Sequence, residues 1–119
     1  MKFLMMIKHS ESYRAEPVPP GLMEAMGAFV TESFANGSLK ETAGLKGTAH
    51  GFRIRLAGGK LRTTDGPFTE AREVIGGFAV VDVESREKAL EVANRFMDLH
   101  RVHWPSFEGE CEVRPYDDH

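Results

Sequence analysis

The sequence predicts an α+β domain, and three features carry that expectation. Residues 2–8 and 75–83 are apolar at consecutive positions rather than alternating, the pattern of strands covered on both faces. Residues 21–36, and those from Ser85 to about 100–102, space their apolar side chains with a helical period. Residues 52–65 alternate as a hairpin around a glycine pair.

In chain order, the first strand places Phe3, Met5 and Ile7 on one face and Leu4 and Met6 on the other. One cover is expected to be helices and the other a second subunit. Residues 9–20, with Pro17, Pro19 and Pro20, read as a polar loop. Leu22, Met26, Phe29, Val30 and Phe34 then define the stripe of a first helix, which Asn36-Gly37 stops. A short extended stretch, 39–45, leads into the hairpin. With Gly58 and Gly59 as its loop residues, Leu56 faces Leu61, Ile54 faces Thr63 and Phe52 faces Asp65. Arg53, Arg55, Lys60, Arg62 and Thr64 fall on the opposite side, where Arg55 opposes Arg62. Gly76-Gly77, at the start of the next strand, predicts a bulge or a close backbone approach. Ser85 is the expected cap of a second helix with Leu90, Ala93, Met97 and His100 on one stripe. Residues 111–115 are an expected edge strand that stops at Pro115. The order is that of a ferredoxin-like split βαβ with an extra hairpin, in a single domain spanning 1–119.

Composition bounds the function. The 119 residues are 41% hydrophobic and 28% charged, and carry a formal charge of −3, which sets aside disorder and argues against general nucleic-acid binding. The single cysteine, Cys111, excludes an intrachain disulfide and a cysteine-rich zinc module; it reads as a packing residue. The apolar run near the start stops after Ile7, too short for a secretory core. No stretch approaches the ~18 apolar residues of a membrane span, so the expected location is the cytoplasm, without a membrane partner. Nucleotide-phosphate loops, a zinc-protease helix and a hydrolase elbow are all missing from the sequence. Asp98, His100 and His103 cluster without a defined third ligand, and no metal or cofactor is expected.

The segment from Thr64 to Glu70 is the most informative. Asp65 closes a strand on its apolar face, ahead of a turn and the aromatic Phe68. A carboxylate there is expected to be partly desolvated, which is how a general acid or base is made at neutral pH. The competing reading has Asp65 accept hydrogen bonds from its own turn. At this motif the sequence resembles a known family. Asp65-Gly66-Pro67-Phe68, with Ile75-Gly76-Gly77-Phe78 downstream, is similar to the DGPF branch of the YciI-like (YCII-related) proteins. The opening Met1-Lys2-Phe3-Leu4-Met5-Met6-Ile7 and the ending Glu110-Cys111-Glu112-Val113-Arg114-Pro115 are similar as well. The resemblance implies a ferredoxin-like fold that pairs sheet against sheet as a dimeric α/β barrel. It also implies a small-molecule cleft in which a His–Asp pair does acid–base work. Members are bacterial, and DGPF genes often lie beside alternative sigma-factor genes.

Asp65 matches the motif aspartate. The shorter members carry their histidine in the first helix, and residues 21–36 contain none, so a partner must come from elsewhere. His9, at the end of the first strand, is the first choice. His50, placed on the face of Phe52 and Asp65, is a further candidate, as are His100 and His103, whose place near a helix C-terminus has a structural reason of its own. Arg53 or Arg55 would anchor an anion, with Phe68 and His50 completing a binding surface. The expected function is small-molecule binding, with lyase- or isomerase-type proton transfer. The alternative is a non-catalytic metabolite- or protein-binding module in sigma-factor signalling.

Overall fold

A computed structural model describes residues 1–12 and 16–118. Its elements are β1 (Lys2–His9), α1 (Pro20–Ala35), β2 (Leu39–Gly44), β3 (Phe52–Ala57), β4 (Lys60–Asp65), β5 (Val74–Asp82), α2 (Arg86–His103) and β6 (Gly109–Pro115). Four strands form one antiparallel sheet in the order β2-β5-β1-β6, while β3 and β4 pair only with each other. This mixed α+β arrangement is compatible with a ferredoxin-like fold carrying a hairpin between its second and third sheet strands.

The alternation of β1 decides the layers. Phe3 and Met5 are buried with Leu39, Val81 and the α2 residues Ala89 and Ala93, and Val30 of α1 packs against them. Both helices therefore cover this face. Leu4 pairs with Val80 and Met6 with Phe78, on the opposite face. Among the described residues no helix covers that face, and Leu4, Met6 and Phe78 are only half-buried there. At its end Lys8 sits between Glu110 and Glu112, at 3.5 and 3.0 Å. The hydrogen bond to Glu112, ahead of its charge, raises the lysine pKa.

Local chemistry fixes the helix ends as expected. Ser85 accepts a hydrogen bond from the Lys88 amide at 3.1 Å, the N-cap geometry. Gly37, at φ 83°, takes the left-handed position that follows α1. Each helical stripe holds except at one residue. In α1, Ser33 is buried and Phe34 exposed. Eleven residues from the buried Leu22 is close to three whole turns, whereas twelve overshoots by about 120°. In α2 the buried line runs through Ala89, Ala93 and His100, leaving Leu90 exposed.

The hairpin has the predicted register at every pair, including Arg55 opposite Arg62. Gly58 and Gly59, at φ 57° and 75°, supply the two positive φ angles of the turn that matches strand twist. Its placement differs from expectation. The apolar face was expected to be covered, yet Phe52, Ile54, Leu56 and Leu61 are 60–72% exposed. The hairpin stands away from the body as an arm, and the radius of gyration is 16.0 Å, against about 13.5 Å for a compact chain of this length.

Candidate functional site

Between the helices and the sheet lies a cavity of about 690 Å³, in the size range of small-molecule sites. Apolar side chains from β1, α1, β5 and α2 make most of its wall, with Met5, Met26, Val81 and Phe96 among them. One end is aromatic. Trp104 and Phe107 lie 5.3 Å apart by ring centroid, and Phe107 is 5.0 Å from His100. His9 meets Phe107 edge-on at 6.2 Å. Two buried imidazoles thus stand at the aromatic end of an apolar cavity.

Each imidazole is oriented by a backbone carbonyl. Nδ1 of His9 donates to the Ser10 carbonyl at 2.7 Å, and Nδ1 of His100 donates to the Phe96 carbonyl at 3.1 Å. A carbonyl can only accept, so whenever either ring is neutral its basic nitrogen is Nε2. Burial lowers the His100 pKa against the smaller opposing effect of that hydrogen bond. His100 is therefore a neutral, buried ring, on the stripe where its spacing placed it. The bulge anticipated at Gly76 exists: the β1–β5 register shifts between Ile7 and Lys8. Its physical reason is His9, since a Cβ on Gly76 would overlap the His9 ring at Nε2.

The motif around Asp65 forms a second locality. The amide of Gly66 donates to Gly51 O at 2.9 Å, and the Phe68 amide to Thr48 Oγ1 at 3.1 Å. Thr48 in turn donates its amide to Glu11 Oε1 at 2.9 Å, tying the loop after β1 to this turn. A Cβ on Gly66 would collide with the Thr48 carbonyl, which is why the motif holds glycine there. Arg53 lies over the Phe68 ring, 4.0 Å from its centroid, and pairs with Glu70. The Arg53 hydrogen bond is the main reason that the Glu70 pKa is lowered.

These contacts correct several expectations. Asp65 is exposed, not desolvated, because the arm's apolar face is uncovered. Among the described residues its side chain makes no hydrogen bond or ion pair, so it does not brace its own turn either. His9 and Asp65 are not joined. His50 belongs to a 3-10 turn, Thr48–His50, and is exposed. Arg53, Arg55, His50, Phe68 and Asp65 are all absent from the cavity wall, and His9 alone of the expected site residues lines it. Asp98 pairs with Arg101 at 2.6 Å, and among the described residues no three His, Cys, Asp or Glu side chains gather as metal ligands. Cys111 is half-buried beside the core, and burial pushes its thiol up to about 11. His100 as a cavity residue was legible only in part. Its spacing from Ala93 put it on a buried stripe, but nothing local distinguished a cavity wall from a helix end.

An α+β domain with an apolar, imidazole-bearing cavity under its helices is the class that fold and site define. Within that class the chain belongs to the YCII-related domain family, whose pattern matches residues 1–96. It is 33% identical over 94 residues to an uncharacterised protein of Rhizobium meliloti (strain 1021), covering 79% of this chain and 72% of that one. Among the described residues no helix is long and apolar enough to cross a membrane.

Proposed function

We propose that this YCII-related chain, of the DGPF branch by its motif, binds a small organic molecule in the cavity under the helices. His9 is its proton-transferring group. The observation that carries this is the His9 geometry: a buried ring on the cavity wall, its Nδ1 held by the Ser10 carbonyl so that Nε2 is the base. An oriented imidazole beside an apolar cavity suits proton abstraction or return in a lyase- or isomerase-type reaction. His100, at the same aromatic end, packs against the ligand beside it. Asp65, Arg53, Arg55, Phe68 and His50 lie outside this cavity, so a His9–Asp65 pair would have to be assembled across two chains. The half-buried apolar face of Leu4, Met6 and Phe78 supports pairing of two copies sheet against sheet.

Gly27 provides the test. It lines the cavity, and a Cβ placed there meets nothing within 4 Å, so Gly27→Leu should fill the space without strain. Native mass spectrometry of gently purified wild type should show a small molecule that is lost on denaturation and absent from Gly27→Leu. His9→Gln should retain that molecule. If wild type carries nothing, and indole used as a probe gives no saturation transfer, the cavity is not a binding site.

A further inference from the structure

We propose that the β3–β4 hairpin is a clasp: the arm of one copy lies against the body of a second copy of this chain. This rests on the pairing of two copies proposed above and extends it to a surface outside the sheet. Three observations converge on it. First, the arm's apolar face is uncovered among the described residues. Phe52, Ile54, Leu56 and Leu61 form one face and are 60–72% exposed, and an isolated two-stranded hairpin is marginal in water. Second, the stripe is too large to be incidental. It presents roughly 500 Å² of apolar side chain, in the range that marks interaction sites. Two such contacts related by a two-fold axis bury about the 1,000 Å² that a specific interface needs.

Third, charge selects the occupant. Four cations, Arg53, Arg55, Lys60 and Arg62, against Asp65 give residues 52–65 a charge of +3. With the whole chain at −3, the remaining residues carry −6. A basic arm therefore complements the body of its own kind and repels another arm. Arg55 and Arg62 are directly opposed in the ladder, an arrangement that is unfavourable until carboxylates approach. Among the described residues neither has a carboxylate partner within its own chain.

Sedimentation equilibrium of the full chain decides the matter. Leu56 and Leu61 face each other near the arm's tip. The double variant Leu56→Glu, Leu61→Glu should raise the dimer dissociation constant by about tenfold or more, with the far-UV spectrum unchanged. Arg55→Glu with Arg62→Glu should also weaken the dimer and reduce its salt sensitivity. Met6→Glu, on the uncovered sheet face, separates this proposal from the pairing beneath it. If Met6→Glu dissociates the dimer and the leucine variant does not, sheet pairing stands and the clasp is overturned. A dimer strengthened by the arginine reversals means that arm lies on arm, which also overturns it. A monomeric wild type overturns both.

Discussion

The body and the arm use similar residues to opposite ends. In the body, Leu22 is fully buried beneath the helices, and Phe3 and Met5 close the core. In the arm, Leu56 and Leu61 meet each other across a well-formed ladder and are otherwise exposed. Alternation and turn chemistry sufficed to shape the arm, because register is set by neighbours within fourteen residues of chain. They did not determine what the arm's apolar face would meet. Local pattern specifies an element, while burial depends on which elements arrive from elsewhere.

The comparison breaks first at Leu22. Leu22→Ala should cost about 2–5 kcal/mol, the range for a buried large-to-small change, read by urea denaturation. A cost below 1 kcal/mol would mean that the body is loosely packed and the contrast with the arm is false. Ser85→Ala should cost about 1 kcal/mol through loss of the α2 cap, and Ser85→Asp should preserve the stability.

A further test sharpens the electrostatics of the cavity. Burial keeps His100 neutral in the folded chain, whereas an unfolded histidine takes up a proton near pH 6.5. The unfolded state then binds more protons just below that value, so this group makes stability fall as the pH drops through 6.5 towards its lowered folded pKa. Above 6.5 its contribution is flat. His100→Gln should flatten the Tm profile between pH 7 and 5.5, and an unchanged slope would mean that the ring is solvated. Smaller still is the arm's response: Leu56→Ala, measured at dilutions where the chain is monomeric, should shift stability by less than about 0.5 kcal/mol. For Cys111, whose thiol is pushed up to about 11, Ellman's reagent should react at pH 8 only after denaturant is added.

Much of the fold was legible in the sequence, and the reasons are specific. Consecutive apolar residues in β1 and β5 marked central strands, Asn36-Gly37 and Ser85 marked helix ends, and Gly58-Gly59 set a register that holds at each pair. The candidate site was less legible. Asp65 looked like a desolvated acid because its neighbours along the strand are apolar, yet apolar neighbours exclude water only if something covers them. His100 was readable as a stripe residue near a helix end, and is a cavity residue because Phe96 and Phe107 pack on its ring. Both readings depended on contacts between segments far apart in the chain, to which spacing is blind. His9 was readable by its place at the end of the first strand, while Gly76-Gly77 marked a bulge without indicating which side chain it accommodates.

The place of β1 has a consequence for how the protein is made. The first of the described strands in chain order is an interior one, and its two neighbours, β5 and β6, follow some seventy and a hundred residues later. A growing chain therefore carries an apolar strand with two open edges through most of its synthesis, while the β3–β4 hairpin closes at once from local contacts. Slow completion by distant partners is a window for mispairing, and on that ground β1 is the segment that nascent-chain helpers would need to shield.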